Sequence, residues 1–168
     1  RGTVVDASNG TVLPGLIDLH THLDYAYAES PEATDAAGAL RAVEKLRFYV
    51  ESGITSVRDV GSASDIPFQL KKWVTERRLA GPRVFAAGRL LVGTGGHGTE
   101  GSERSGPAYG ALRNGEMREA KGPDDWREGV REQFAAGADV MKMTIHVSPC
   151  EVKAAVQEAH ALGLRVTW

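Results

Sequence analysis

The sequence predicts an α/β protein built on a parallel sheet with crossover helices. Strand-like apolar runs and helix-period segments alternate four times along the chain, and the helix-to-strand connections are short and built on glycine. Many of the other glycines, out of 20 in all, fall where strands meet loops. Periodicity alone allows a doubly wound sheet and a closed barrel equally.

The elements follow in order. Val4-Val5-Asp6 and Thr11-Val12-Leu13 flank Ser8-Asn9-Gly10, and Asn-Gly is a strong hairpin signal. A first strand is expected from about Leu16 to Leu23, opening after Pro14-Gly15. Ser30-Pro31-Glu32 opens a helix, with serine as cap and proline at the first helical position. That helix carries Ala36, Leu40, Val43, Leu46, Phe48 and Val50 at helical spacing and closes at Gly53. Ile54 to Val60 forms the second strand. A helix from near Asp65 bears Phe68, Leu70, Trp73, Val74 and Leu79 before Gly81-Pro82 stops it. Arg83 to Ala87 is the third strand, with Leu90-Leu91-Val92 continuing it or lying just beyond.

Residues from Gly93 to Gly122 are glycine-rich and charged and lack apolar pattern, so they read as a long functional or disordered loop. Pro123-Asp124-Asp125 opens a helix through Trp126, Val130 and Phe134 to Gly137. Asp139 to Ile145 is the fourth strand. Ser148-Pro149 caps a helix running to Gly163, and Leu164 to Trp168 begins a fifth strand.

The chain has 168 residues, 42% of them apolar, which is enough for one buried core. Its net charge of −2 and lack of any basic run give no electrostatic pull toward nucleic acid or membrane. No apolar stretch is long enough to span a bilayer. The single Cys150 excludes an internal disulfide and leaves the compartment open, with a lean to the cytosol. No targeting signal is visible at Arg1, but a chain without its natural start cannot report on one.

Chemistry concentrates in the first strand, which ends in His20-Thr21-His22. Side chains alternate along a strand, so both imidazoles face one way, about 7 Å apart along the backbone. Two same-side histidines at a sheet rim suit zinc and its neighbours, although a bare His-x-His is more often a hydrogen-bonded or solvated strand end. Lys142 lies within an apolar strand, where a bare ammonium is costly to bury unless it snorkels to a carboxylate. Arg58 and Asp59, at the end of the second strand, bind substrate or pair to brace the sheet, and bracing suits Asp59 better. His97 sits in Thr94-Gly95-Gly96-His97-Gly98, where glycines permit close backbone approach to a ligand. His146 and His160 carry no assignable role. Cys150 follows Pro149 at a helix start, but no histidine base accompanies it. The glycine run from Gly93 to Gly98 lacks the Lys-Ser or Lys-Thr of a phosphate loop.

Several motifs together resemble one family. Leu13-Pro14-Gly15-Leu16-Ile17-Asp18-Leu19-His20-Thr21-His22 is similar to the first-strand signature of the amidohydrolase superfamily, metal-dependent hydrolases on a (β/α)8 barrel. Val57-Arg58-Asp59-Val60-Gly61, Gly93-Thr94-Gly95-Gly96-His97-Gly98, Gly137-Ala138-Asp139-Val140-Met141-Lys142 and Glu158 to Thr167 extend the match over nearly the whole chain. The flavour is that of the imidazolonepropionase-like and Xaa-Pro-dipeptidase-like branch.

The resemblance turns the choice to a partial TIM-type barrel, from the first strand to the start of the fifth. A complete one typically needs about 250 residues. Residues 1–14 are then the end of a small β-sandwich domain and 15–168 the first half of the barrel, truncated. It implies His20, His22 and Lys142 as ligands of one or two divalent metals, zinc foremost, with a CO2-derived carboxyl group on the Lys142 amine. His97 and Arg58 would face substrate.

The resemblance further implies hydrolysis of a C–N bond, in a dipeptide or cyclic amide, by metal-activated water. The general-base aspartate is expected beyond Trp168, so the isolated chain is expected to be inactive. Two rivals remain. One is a non-catalytic half-barrel that self-associates through open sheet edges or binds a partner. The other is a doubly wound module whose histidines are incidental.

Overall fold

The computed structural model describes residues 2–24, 35–96 and 117–168. Eleven elements are assigned among them: β1 (Leu16–Thr21), α1 (Asp35–Glu51), β2 (Ile54–Asp59), α2 (Ile66–Thr75), β3 (Arg83–Ala86), β4 (Leu90–Gly93), β5 (Met117–Ala120), α3 (Pro123–Ala136), β6 (Val140–Lys142), α4 (Pro149–Ala161) and β7 (Arg165–Thr167).

Every strand pair is parallel: β1 with β2, β2 with β3, β4 with β5, and β6 with β7. Further hydrogen bonds tie these ladders together. The Asp139 amide donates to the Ala86 carbonyl at 2.8 Å, and the Ala86 amide donates back to Asp139 Oδ2 at 2.9 Å. The Thr144 amide reaches the Leu91 carbonyl at 3.0 Å, and Leu91 and Met143 form an isolated bridge. Lys71 clamps the first of these joints through a 2.7 Å ion pair to Asp139 Oδ1.

Two apolar clusters stabilise the wall. One gathers Leu23, Ala42, Leu46, Val57, Ile66, Leu70, Val84 and Ala86 beneath α1 and α2. The other gathers Leu91, Trp126, Val130, Met141, Met143, Ala155 and Ala159 beneath α3 and α4. The helices therefore cover one face. On the other side Ile17, Leu19, Arg58, Phe85, Val140 and Val166 line a groove of about 510 Å³.

Local chemistry explains the helix ends. Ser148 and Glu151 form a reciprocal capping box before α4, with Pro149 in its first turn. Gly137 ends α3 at φ +103°, a conformation that costs glycine little.

The structure corrects the sequence reading in four places. The turn at Ala7–Gly10 forms, with the Gly10 amide 2.9 Å from the Ala7 carbonyl, but its flanks are not paired as strands. Val4, Val5, Val12 and Leu13 there are 73–93% exposed, so no sheet beneath them rewards the pairing. On α1 the buried stripe is Gly38, Ala42 and Leu46, whereas Leu40 and Phe48 face outward. The stripe's small residues let the helix lie close against its neighbours: a Cβ on Gly38 would come within 3.3 Å of the Asp24 side chain.

Leu90–Gly93 forms a strand of its own, and its partner Met117–Ala120 lies within the stretch read as loop. The charged pattern hid that strand, because Arg118 is used in ion pairs at 2.8 Å to Asp125 and 3.0 Å to Glu132. Finally, the fourth predicted strand is only three residues long as a ladder, Val140–Lys142, and its continuation contributes the bridge at Met143.

Candidate metal centre at the rim of the parallel sheet

The register of β1 on β2 sets the geometry of the site. Asp18 pairs with Val57 and Thr21 with Asp59, so β1 carries one more residue than β2 across this interval. This bulge lies at Leu19 and His20. A bulge frees backbone groups and re-aims side chains, and here both freed groups are answered. The Leu19 carbonyl accepts from Arg58 Nε at 2.6 Å, and the His20 amide donates to Asp18 Oδ1 at 3.0 Å. After the bulge Thr21 is buried, its hydroxyl 2.5 Å from that of Tyr49 on α1, and Leu23 enters the core. Simple alternation would have put Leu19 with Thr21 and Leu23. The bulge leaves Leu19 on the groove face with Ile17 and turns Thr21 and Leu23 into the core, which hydropathy did not signal.

The two imidazoles converge edge-to-face, with ring centroids 5.5 Å apart. His22 Nδ1 lies 2.7 Å from the Gly61 carbonyl oxygen. That oxygen can only accept, so Nδ1 is the protonated nitrogen and the lone pair of the neutral ring falls to Nε2. The Lys45 ammonium donates to the His22 carbonyl at 2.9 Å, which fixes the same residue from the backbone side. Gly61 has φ +155°, and a Cβ there would lie 3.2 Å from His22 Nδ1, so the turn requires glycine.

Asp59 underlies this turn and is fully buried. Its Oδ2 accepts from the Leu23 amide at 2.9 Å and from the Ser62 hydroxyl at 2.5 Å, and its Oδ1 accepts from the Gly61 amide at 3.2 Å. Burial pushes this carboxyl's pKa above its ordinary value, opposed by those three donors. Arg58 and Asp59 therefore do not pair with each other. They point to opposite faces of β2, Arg58 holding the bulge and Asp59 the turn beyond it.

Lys142 ends β6 and is 8% exposed. Burial lowers its pKa, and the positive charge of Arg58 lowers it further. The His20 pKa is lowered first by burial, then by the charges of Lys142, His22 and Arg58, against a smaller opposing effect of Asp18. These shifts place Lys142 and Arg58 in the electrostatic field of His20. The cluster is rich in bases. Among the described residues, no group of three or more His, Cys, Asp and Glu side chains is placed to hold a metal ion.

Burial and the neighbouring positive charges favour the neutral form of His20, and the Gly61 carbonyl fixes which nitrogen His22 presents. His97 lies outside the described residues. His146, at φ +67°, and Cys150, whose sulfur is 3.0 Å from the Ser148 hydroxyl, are both exposed. No described helix is long and apolar enough to cross a membrane.

Comparison with known proteins identifies the family. The model of the amidohydrolase family matches residues 11–168. An ochratoxinase of Aspergillus niger is 26% identical over 178 residues, a span covering 88% of this chain and 36% of the relative. A crystal structure of a Xaa-Pro dipeptidase with bound methionine in its active site superposes with a TM-score of 0.76 at 26% identity, over 91% of this chain and 42% of that one. A prolidase complexed with N-methylphosphonate-L-proline gives 0.73 at 26% identity, over 98% and 46%.

The chain thus spans little more than a third of the curated relative's length and less than half of these structures. Its parallel strands and outer helices make it a partial TIM-type barrel. By its fold, by its motifs and by the family match over nearly its whole length, the chain belongs to the amidohydrolase family of hydrolases.

Proposed function

We infer that this chain contributes the first metal-binding wall of a metal-dependent hydrolase acting on carbon–nitrogen bonds. His20, His22 and Lys142 are the proposed ligands of zinc or a similar divalent ion, one or two in number. The observation that carries the reading is the convergence of His20 and His22 beside a buried, base-surrounded Lys142. A cationic cluster of that kind is relieved if the lysine becomes an anion. Its unprotonated amine attacks carbon dioxide, an N–C bond forms, a proton leaves to solvent, and a carboxylated lysine remains.

When bound, the metal supplies Lewis-acid polarisation of a carbonyl and an acidified water. This chain's residues hold and orient. Arg58 fixes the bulge that aims His20, and the Gly61 carbonyl fixes the His22 tautomer. Arg58 and His97 are proposed to face substrate. A dipeptide or cyclic amide is the proposed substrate class, and relatives named as a Xaa-Pro dipeptidase and a prolidase support the dipeptide. The proposed ligand set contains no general base, so the chain alone is expected to show little or no hydrolase activity.

Zinc titration by calorimetry tests the reading. The wild-type chain should bind zinc, and His20→Ala and His22→Ala should each weaken binding at least tenfold. With 13C-bicarbonate, a carbamate carbon resonance should appear and should be lost in Lys142→Ala. Wild-type binding no tighter than that of the double histidine variant sinks the metal centre.

A second reading is favoured by one observation. Leu16, Ile17 and Leu19 on β1 are 58–63% exposed, and Phe85 in the same groove is 41% exposed. An apolar sheet face of that kind suits a second copy or a partner polypeptide. A monomer by light scattering at high concentration speaks against self-association.

A further inference from the structure

We propose that Asp59 is a positioning residue that sets the tautomer and aim of the His22 imidazole from beneath the site. It touches neither the ring nor any expected substrate. Instead it holds the backbone on both sides of the ring's anchor. Its Oδ1 accepts from the Gly61 amide at 3.2 Å, and the carbonyl of that same residue takes the His22 Nδ1 proton at 2.7 Å. Its Oδ2 accepts from the amide of Leu23, the residue directly after His22, at 2.9 Å. One carboxylate thereby ties the ring's residue to the ring's acceptor, and Ser62 steadies that carboxylate through its hydroxyl.

The chemistry requires a group that only accepts. All three neighbours are donors, and a carboxylate has lone pairs for each on its two oxygens. An asparagine of the same shape has one oxygen. If that oxygen keeps Leu23 and Ser62, its NH2 group faces the Gly61 amide, donor against donor. The Gly61 peptide then has to turn, and its carbonyl leaves His22 Nδ1. Without that contact the Gly61 carbonyl no longer holds the proton on Nδ1, and a shift of the proton to Nε2 removes the lone pair there. The bond between the Asp59 carboxylate and the Gly61 amide is buried, so water does not take its place.

This role deepens the metal-centre reading and rests on it for its purpose, but its physical content is measurable without metal. The test is a long-range proton–nitrogen NMR spectrum of the histidine rings of the full, metal-free chain at mildly alkaline pH. In the wild type, His22 is expected to be protonated at Nδ1. Asp59→Asn should move the proton toward Nε2. Ser62→Ala, which leaves the Gly61 bond in place, should not.

Three results overturn the role: an Nε2-protonated His22 in the wild type, an unchanged tautomer in Asp59→Asn, or a Ser62→Ala shift as large as that of Asp59→Asn. Should Asp59→Asn not fold, the wild type still decides. Nδ1 protonation together with through-hydrogen-bond couplings from the Leu23 and Gly61 amides to the Asp59 carboxyl carbon supports the role, and absence of those couplings overturns it. Zinc titration then separates the two ideas. Asp59→Asn should bind zinc about 10- to 100-fold more weakly than the wild type. If zinc moves no His22 resonance while the tautomer behaves as described, Asp59's control of the ring stands and the metal centre falls.

Discussion

The two halves of the wall are built differently. Beneath α3 and α4 the core is centred on Trp126, Leu91, Met141 and Met143, each fully buried, with Gln133, Lys142 and Thr144 as the buried polar residues near it. Its helices are well finished, one by a capping box and one by a left-handed glycine. Beneath α1 and α2 the core is more polar. It mixes Leu46, Val57 and Leu23 with buried Asp24, Ser56, Asp59 and Ser62. The proposed histidine ligands belong to the second, polar half, and the lysine belongs to the first. The difference teaches where precision comes from. Packing alone fixes a lysine at the end of an apolar strand, whereas aiming two imidazoles takes a bulge and a hydrogen-bonded turn. That turn's buried polar groups need partners rather than close packing.

The sharpest way to break this contrast is Trp126→Ala. Removing the largest fully buried side chain should cost about 3–5 kcal/mol in urea denaturation. If the halves are separable cooperative units, hydrogen exchange should then speed up in α3 and α4 while amides of β2 around Val57 keep their protection. Uniform loss of protection would join the two clusters into one unit.

Next in size, Leu46→Ala should cost about 2–5 kcal/mol, whereas Leu40→Ala, at a position 74% exposed, should stay within about 0.5 kcal/mol. A large effect at Leu40 would mean that the outer stripe of α1 is covered by something in solution.

A smaller effect than that of Leu46→Ala belongs to the cap of α4. Ser148→Ala should cost about 1 kcal/mol by thermal melting. It should also blunt the acid side of the stability profile. Hydrogen bonds from Ser148, and then from the Gly122 amide, hold the Glu151 carboxyl below its ordinary pKa. The folded chain therefore binds that proton less readily than the unfolded one. The stability this contributes is fully present above the unfolded glutamate value of about 4.3. It is lost as pH falls through the lower folded value. Glu151→Gln should flatten that limb further.

Much of the fold was legible because its signals are local. Glycine stops at Gly53 and Gly137, the Ser148-Pro149 helix start and the apolar runs of β2, β3 and β6 each declare themselves within a few residues. Met117–Ala120 did not, because its strand character comes from pairing with Leu90–Gly93 and from Arg118 meeting two carboxylates on α3. The α1 face was misjudged for a related reason: Ala42 and Gly38 are buried because they are small enough for close approach, and hydropathy scores favour Leu40 and Phe48 instead.

At the site, the sequence by itself determined which side chains are available: two imidazoles spaced for one face of a strand and a lysine embedded among apolar neighbours. Short-range covalent spacing and hydropathy suffice for that. Only the tertiary structure decided how they are aimed. The extra residue in β1, the Arg58 and Asp18 bonds that hold it, and the Asp59–Gly61–His22 relay join residues up to 39 positions apart. A buried polar group must find its partner wherever the chain brings one, so these links arise from register and burial, neither of which is written in the local pattern.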